Sequence, residues 1–415
     1  MRSYFPIFIL ILLLIQNPAA QGEAADKTGR LDFYQALKTA FDFNPQMIEA
    51  RQSLEAARGD IVTARTFQNP EAELEFGEGD AQLDSIEIIQ PFDPFGVRFF
   101  EKQIAVNQVK IQDETLRSVW ASVYLRVREI YSKIMLDQKR LELTKDNLNS
   151  MRQFFGRVQE RYQSGQVFKN DLQRAKIELL QAEHDFLSAG KDLKTDQARL
   201  NLVLGRPMDT VFEIEETFKE EQLLLSLDQL KSIALDNRPD IKTAELELDS
   251  SNKNIKKERL NRLPSYSLGF KRTEENSEED YAVLVGISLP LWNFNHGEVK
   301  KARAGQEIQA TRTAAVREQA LFEVYENFLE AELARKQFEL SKKTLEEASE
   351  LLRLADLRYS EGKIDFLNYL DQVKTVKQTK VNYYEGLFHL SRSLSALEAS
   401  VQASLRQEDF FNEKF

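Results

Sequence analysis

The 415-residue chain contains no cysteine. That excludes disulfides, thiolate metal sites, a cysteine nucleophile and an N-terminal lipid carried on cysteine. Proline and glycine are scarce, at 10 and 16 residues, which suits long unbroken helices. Glycine-rich phosphate loops, nucleophile motifs and ligand-spaced histidine or carboxylate clusters are missing too, so an enzyme is not expected, and neither is a cofactor or bound metal. The three histidines, His184, His296 and His389, lie far apart and read as surface or capping residues. A net charge of −11 argues against a nucleic-acid partner and against an anionic membrane surface.

Long apolar runs are nearly absent as well. The exception is the N-terminus, where Arg2, an apolar core from Ile7 to Ile15 and Ala20-Gln21-Gly22 make residues 1–22 a secretory signal peptide. An uncleaved anchor is the alternative, but the run is far short of the roughly 20 residues that span a bilayer. If the mature chain enters a membrane, it must do so as β-strands.

What is present is heptad repetition. Val127, Ile134, Leu141, Leu148, Phe155 and Tyr162 are spaced by seven, and Leu116, Val123, Ile130, Met151 and Val158 fill the interleaved register. Asp137 and Thr144 are its polar interruptions. This is a coiled-coil seam, and some 65 residues of it from Arg98 make a rod roughly 100 Å long. After Ser164-Gly165 a second seam runs from Leu172 through Ala175, Leu179, Ala182 and Phe186 to Val203, with Asp196 its polar member. A short turn between two long helices implies an antiparallel hairpin over 98–205. Leu204-Gly205-Arg206-Pro207 stops it.

The plan then repeats. Asn44-Pro45 and Asn69-Pro70 are answered by Arg238-Pro239 and Leu263-Pro264, both offset by 194 residues (239 − 45 and 264 − 70). The first unit covers 23–207, 208–226 is an irregular acidic connector, the second unit covers 227–406, and 407–415 is a tail. Each unit has two short helices, a β-hairpin (71–92 and 265–291) and a coiled-coil hairpin (98–205 and 298–406). Between the second pair of strands, Thr273 to Asp280 reads as a solvated acidic loop. Four strands of about 10 residues have the length of membrane-barrel strands but cannot close a barrel. Three copies would supply twelve, so a homotrimer is the economical solution. Small soluble sheets capping a periplasmic coiled-coil structural protein remain the alternative.

The ordered set of these features resembles the TolC family of outer-membrane efflux proteins. The resemblance is carried by the duplication, by Arg161-Tyr162-Gln163-Ser164-Gly165 and Arg358-Tyr359-Ser360-Glu361-Gly362 at the hairpin tips, and by Leu200 to Pro207. Gln90-Pro91-Phe92 and Leu289 to Glu298 are most similar to the CzcC-like heavy-metal branch. The resemblance implies a mainly α protein with a 12-stranded trimeric outer-membrane barrel and a periplasmic tunnel of coiled-coil hairpins. It also implies a periplasmic adaptor protein and an inner-membrane RND transporter as partners, with outer-membrane lipid around the barrel. Metal efflux is then the expected function, with drug efflux or type I secretion as alternatives.

The same resemblance nominates Asp171, Tyr359, Lys363 and Asp371 as a periplasmic gate, with Ile364 where the family has arginine. Three copies of Asp371 around one axis would attract cations. Arg161, Tyr162, Gly165, Arg358 and Gly362 are expected to dock the adaptor. Phe92, Trp292 and Phe294 are candidates for an aromatic belt at the barrel rim, with core packing the other reading for Trp292.

Overall fold

A computed structural model describes residues 29–76, 83–214, 225–275, 278–361 and 363–403. The expected signal peptide, the turn expected at Gly77 to Asp80, most of the expected connector, Gly362 and the expected tail lie outside these residues.

The duplication is visible as a repeated order of elements. The first unit comprises α1 (Phe33–Phe43), α2 (Pro45–Arg65), β1 (Glu71–Phe76), β2 (Leu83–Phe92), α3 (Val97–Gln163) and α4 (Lys169–Val203). The second comprises α5 (Leu227–Asn237), α6 (Pro239–Leu260), β3 (Ser265–Glu275), β4 (Glu278–Ser288), α7 (His296–Ser360) and α8 (Phe366–Val401). Local chemistry sets the ends. Asp32 and Ser226 open α1 and α5 with capping boxes to Gln35 and Gln229. Pro45 and Pro239 stand at the first turn of their helices, where no amide hydrogen is needed.

Asn44 caps α2 through Gln46 and Met47, and its Nδ2 donates to the Val203 carbonyl at 2.7 Å. The answering Arg238 donates to the Ser400 carbonyl at 2.9 Å and pairs with Asp240 and Glu323. In both units the residue before proline therefore ties the short helices to the end of the second long one. Gly205 closes the first unit at φ 69°, and a Cβ there would meet the Phe43 carbonyl oxygen at 2.3 Å, so only glycine fits.

The first core gathers Leu37, Ala40, Met47, Val127, Ile134 and Leu200. Phe212 and Ile214 also belong to it, and residues 29–31 bridge to Glu213, so this end of the connector is ordered packing. The second core gathers Leu230, Val324, Phe338, Leu394 and Leu397. Trp120 packs against the first core, edge-on to Phe41.

The strands form one antiparallel sheet in the order β1-β2-β3-β4, leaving β1 and β4 as open edges. Two boundaries differ from the sequence reading. The acidic loop expected from Thr273 to Asp280 is mostly strand: β3 reaches Glu275 and β4 starts at Glu278, with Thr273 opposite Asp280 and Glu274 opposite Glu279, while residues 276–277 lie outside the described residues. Arg272 reconciles the like charges by pairing with both Glu274 and Glu279. At the other end β4 stops at Ser288, so Trp292 is not on a strand but in the segment leading to α7.

Candidate functional site

The register separates two faces of the sheet. Leu74, Ile86, Ile88, Phe92, Tyr266, Leu268, Phe270, Tyr281, Val283, Val285 and Ile287 share one face by strand alternation and pairing. Val283 and Val285 are each 73% exposed, which a water-facing sheet would not sustain over such a patch. Glu71, Glu73, Glu75, Glu87, Lys271 and Asp280 occupy the opposite face, where Glu87 pairs with Lys271 at 3.7 Å. An outside that is apolar up to the charged end at Arg272, Glu274 and Glu279, over an acidic inside, fits the two walls of a membrane barrel, and four strands fit one third of a twelve-stranded one.

Sheet and rods are clamped together without a linker. Arg98 pairs with Asp93 at 2.9 Å, donates to the Thr66 carbonyl at 2.6 Å and covers the Phe67 ring. Phe67 packs edge-on to Phe92, so Phe92 is half-buried. In the second unit Asn295 donates to the Glu258 carbonyl at 2.9 Å and to its carboxylate at 3.0 Å. Trp292 is 91% exposed, and Phe294 lies near His296.

The far ends of the rods are built alike. The Gln166 amide donates to the Arg161 carbonyl at 2.8 Å, and the Lys363 amide donates to that of Arg358 at 2.8 Å, each closing a helix end. Gly165 takes φ 74° to make its turn. Arg161, Tyr162 and Arg358 are exposed there.

Between the two tips lies a cavity of about 1180 Å³, lined by Arg161, Asp171, Tyr359, Ile364 and Asp371 among others. Three gate candidates from opposite units thus meet in one place. Asp171 also has a local task, accepting the Phe168 amide at 3.2 Å at the start of α4. Tyr359 stacks on Tyr369 at 4.7 Å. The Tyr369 phenol is pushed up to about 12 by burial first and by its bond to Asp356 second. Asp371 is exposed. Lys363 pairs with Glu361 at 2.7 Å and does not line the cavity.

The sequence reading missed the groups that tie the units together above the tips. Lys374 and Lys377 of α8 pair with Glu178 and Asp185 of α4 at 2.6 and 3.1 Å. Higher up, Arg392 pairs with Glu129 at 3.0 Å, and Arg140 with Glu385. Burial opposes the Asp185 carboxylate, but hydrogen bonds from Gln181 and Lys377 outweigh it and lower its pKa. Beneath these pairs, Leu370 of α8 packs with Leu148, Met151 and Ala182.

Among the described residues, no group of three or more histidine, aspartate or glutamate side chains could hold a metal. Nor is any described helix long and apolar enough to cross a membrane.

A family model for outer membrane efflux proteins matches residues 36–206 and 230–403. The cobalt-zinc-cadmium resistance protein CzcC of Cupriavidus metallidurans is 23% identical over 401 residues, covering 92% of this chain and 95% of that protein. The solvent efflux pump outer membrane protein SrpC of Pseudomonas putida is 25% identical over 312 residues, covering 71% of this chain and 66% of that one. Among solved structures, the CmeC outer membrane channel of Campylobacter jejuni matches with a TM-score of 0.76 at 14% identity, over 89% and 85% of the two chains. A CusC structure matches with a TM-score of 0.73 at 17% identity, over 92% and 95%.

Proposed function

The chain belongs to the outer membrane efflux protein family, and on that premise we propose that it is the exit duct for heavy-metal cations in a tripartite efflux system. Membership makes it a channel and not an enzyme, with its strands in the outer membrane and its helical tunnel in the periplasm. In the proposed reading three copies complete the barrel, a periplasmic adaptor docks on the tips, and an inner-membrane RND transporter supplies the energy.

One observation carries the metal reading: the match to CzcC runs almost end to end in both chains, whereas that to SrpC stops at 66% of its length. The acidic inner face of the sheet supports it, because a carboxylate-lined wall favours cations and a conduit need not bind them tightly. The gate role of Asp171, Tyr359 and Asp371 rests on their common place between the tips, while Lys363 would act from outside the cavity. Docking by Arg161, Tyr162, Gly165, Arg358 and Gly362, and an interfacial role for Phe92, Trp292 and Phe294, complete the proposal. Drug efflux or type I secretion would use the same duct.

Deletion of the gene, with tolerance to zinc, cobalt and cadmium scored against tolerance to organic solvents and dyes, tests the cargo. Loss of metal tolerance alone, restored by the cloned gene, is expected. Loss confined to solvents or dyes overturns the metal reading and leaves the duct intact.

A further inference from the structure

We propose that Asp137 of α3 and Asp196 of α4 hold one proton between them, making the middle of the first rod a proton-sensitive joint. The inference is independent of the cargo.

Both residues interrupt their seams and both are buried, at 1% and 5% exposure. They come from facing stretches of α3 and α4, and Asp196 acts on the Asp137 carboxyl as a side-chain neighbour. Lys133 donates to Oδ1 of Asp137 at 2.6 Å, and Arg199 donates to Oδ1 of Asp196 at 2.7 Å. Oδ2 of Asp137, however, is buried without a hydrogen-bond partner. Two ionised carboxylates can only accept, so contact between them becomes a hydrogen bond only when one carries a proton. In a dry seam an unmet oxygen beside a second negative charge is costly, and a shared proton removes both penalties.

Two cations bear on the pair directly, Lys133 of α3 on Asp137 and Arg199 of α4 on Asp196. Asp192 of α4 is acted on in turn by Lys133 and Arg140 of α3. Glu385 comes from α8 and is taken up by Arg140. The charge of Lys133 also reaches Asp192, so it is not reserved for Asp137. Burial is the largest influence and raises the Asp137 carboxyl to about 6; the Lys133 hydrogen bond opposes it, and Asp196 adds to the rise.

The direction of the effect follows from linkage. The folded seam keeps a proton that an unfolded aspartate releases near its ordinary value of 3.8. Stability from this pair is therefore greatest in acid, falls as pH rises through that window, and stays low above about 6. Acid draws α3 onto α4, and neutral pH loosens them.

The test is infrared titration of the detergent-purified full-length channel. A protonated-carboxyl C=O band should disappear with a midpoint near the value for Asp137, be missing from Asp137→Asn and disappear at lower pH in Asp196→Asn. Amide hydrogen exchange over 130–140 and 190–200, corrected for intrinsic rates, should be several-fold faster at pH about 7.5 than at about 5.5 in the parent and flat in Asp137→Asn. Asp192→Asn is the control and should keep the band. Absence of the band, or the same exchange profile in parent and Asp137→Asn, overturns the proposal. If one variant fails to fold, the other and the parent titration still decide it.

Discussion

The two units share their element order, yet their first long helices live in different surroundings. Helix α3 is enclosed within its own chain, packed by α2, α4, α6 and α8, and it buries Val123, Val127, Ile134, Leu148 and Met151. Helix α7 buries a narrower, alanine-rich seam that includes Ala320, Ala331, Ala334 and Ala355. Val324 and Phe338 are buried beside it, but Phe322, Leu329, Leu333, Leu340, Leu351 and Leu354 face outward. The same heptad grammar thus produces a rod finished within the chain and a rod with a second stripe left open. Such a stripe on a soluble surface calls for a partner, and in a closed tunnel the partner is the next copy.

The largest effect should come from breaking the enclosed rod. Ile134→Pro removes a hydrogen bond and kinks α3 in its middle, at a cost of about 3 kcal/mol or more before lost packing is counted. Loss of the folded trimer on native gels and of export is expected.

Separating the two rods is the next test. Leu329→Asp with Leu333→Asp should leave the helix content of the chain near its parent value while abolishing the trimer, as read by circular dichroism and analytical ultracentrifugation. A trimer that survives both charges would mean that the open stripe is not the subunit interface.

The residues before the prolines sharpen the comparison at smaller cost. Arg238→Ala strips Asp240 and Glu323 of their cation and should destabilise by about 2–3 kcal/mol, somewhat more than Asn44→Ala, which loses one cap and one buried hydrogen bond for about 1–2 kcal/mol. Guanidinium melts of the two variants check the order.

The smallest stability effect belongs to the ion pairs between units. Lys374→Glu with Lys377→Glu removes pairs worth about 0–1 kcal/mol each. Its readout is conductance in planar bilayers, where more frequent opening is expected. In the same assay Asp371→Asn should weaken block by polyvalent cations if the entrance ring forms as proposed.

Much of the architecture was legible because it is periodic or punctuated. Heptads marked the rods, and prolines 194 residues apart revealed the duplication. The extent of the second β-hairpin was obscured because glutamates on both strands resemble a solvated loop until Arg272 is seen bridging them. The gate candidates came from motif position, and the structure brings three of them to one cavity. Lys374, Lys377, Glu178 and Asp185 left no such trace. Each is an ordinary helix-face charge, and its partner lies nearly a whole unit away in sequence. Asp137 and Asp196 were visible as interruptions, but only their meeting across the seam gives them chemistry.

The clamps at Arg98 in the first unit and Asn295 in the second make each unit a lever with its fulcrum beside the sheet. Helix α3 has 67 residues. At about 1.5 Å per residue it is about 100 Å long, so a tilt of about 2° at the fulcrum carries the tip through roughly 3–4 Å. That displacement matches the reach of a salt bridge. Opening at the proposed gate would therefore ask little of the barrel, and the pairs of Lys374 and Lys377 with Glu178 and Asp185 would be the contacts that yield.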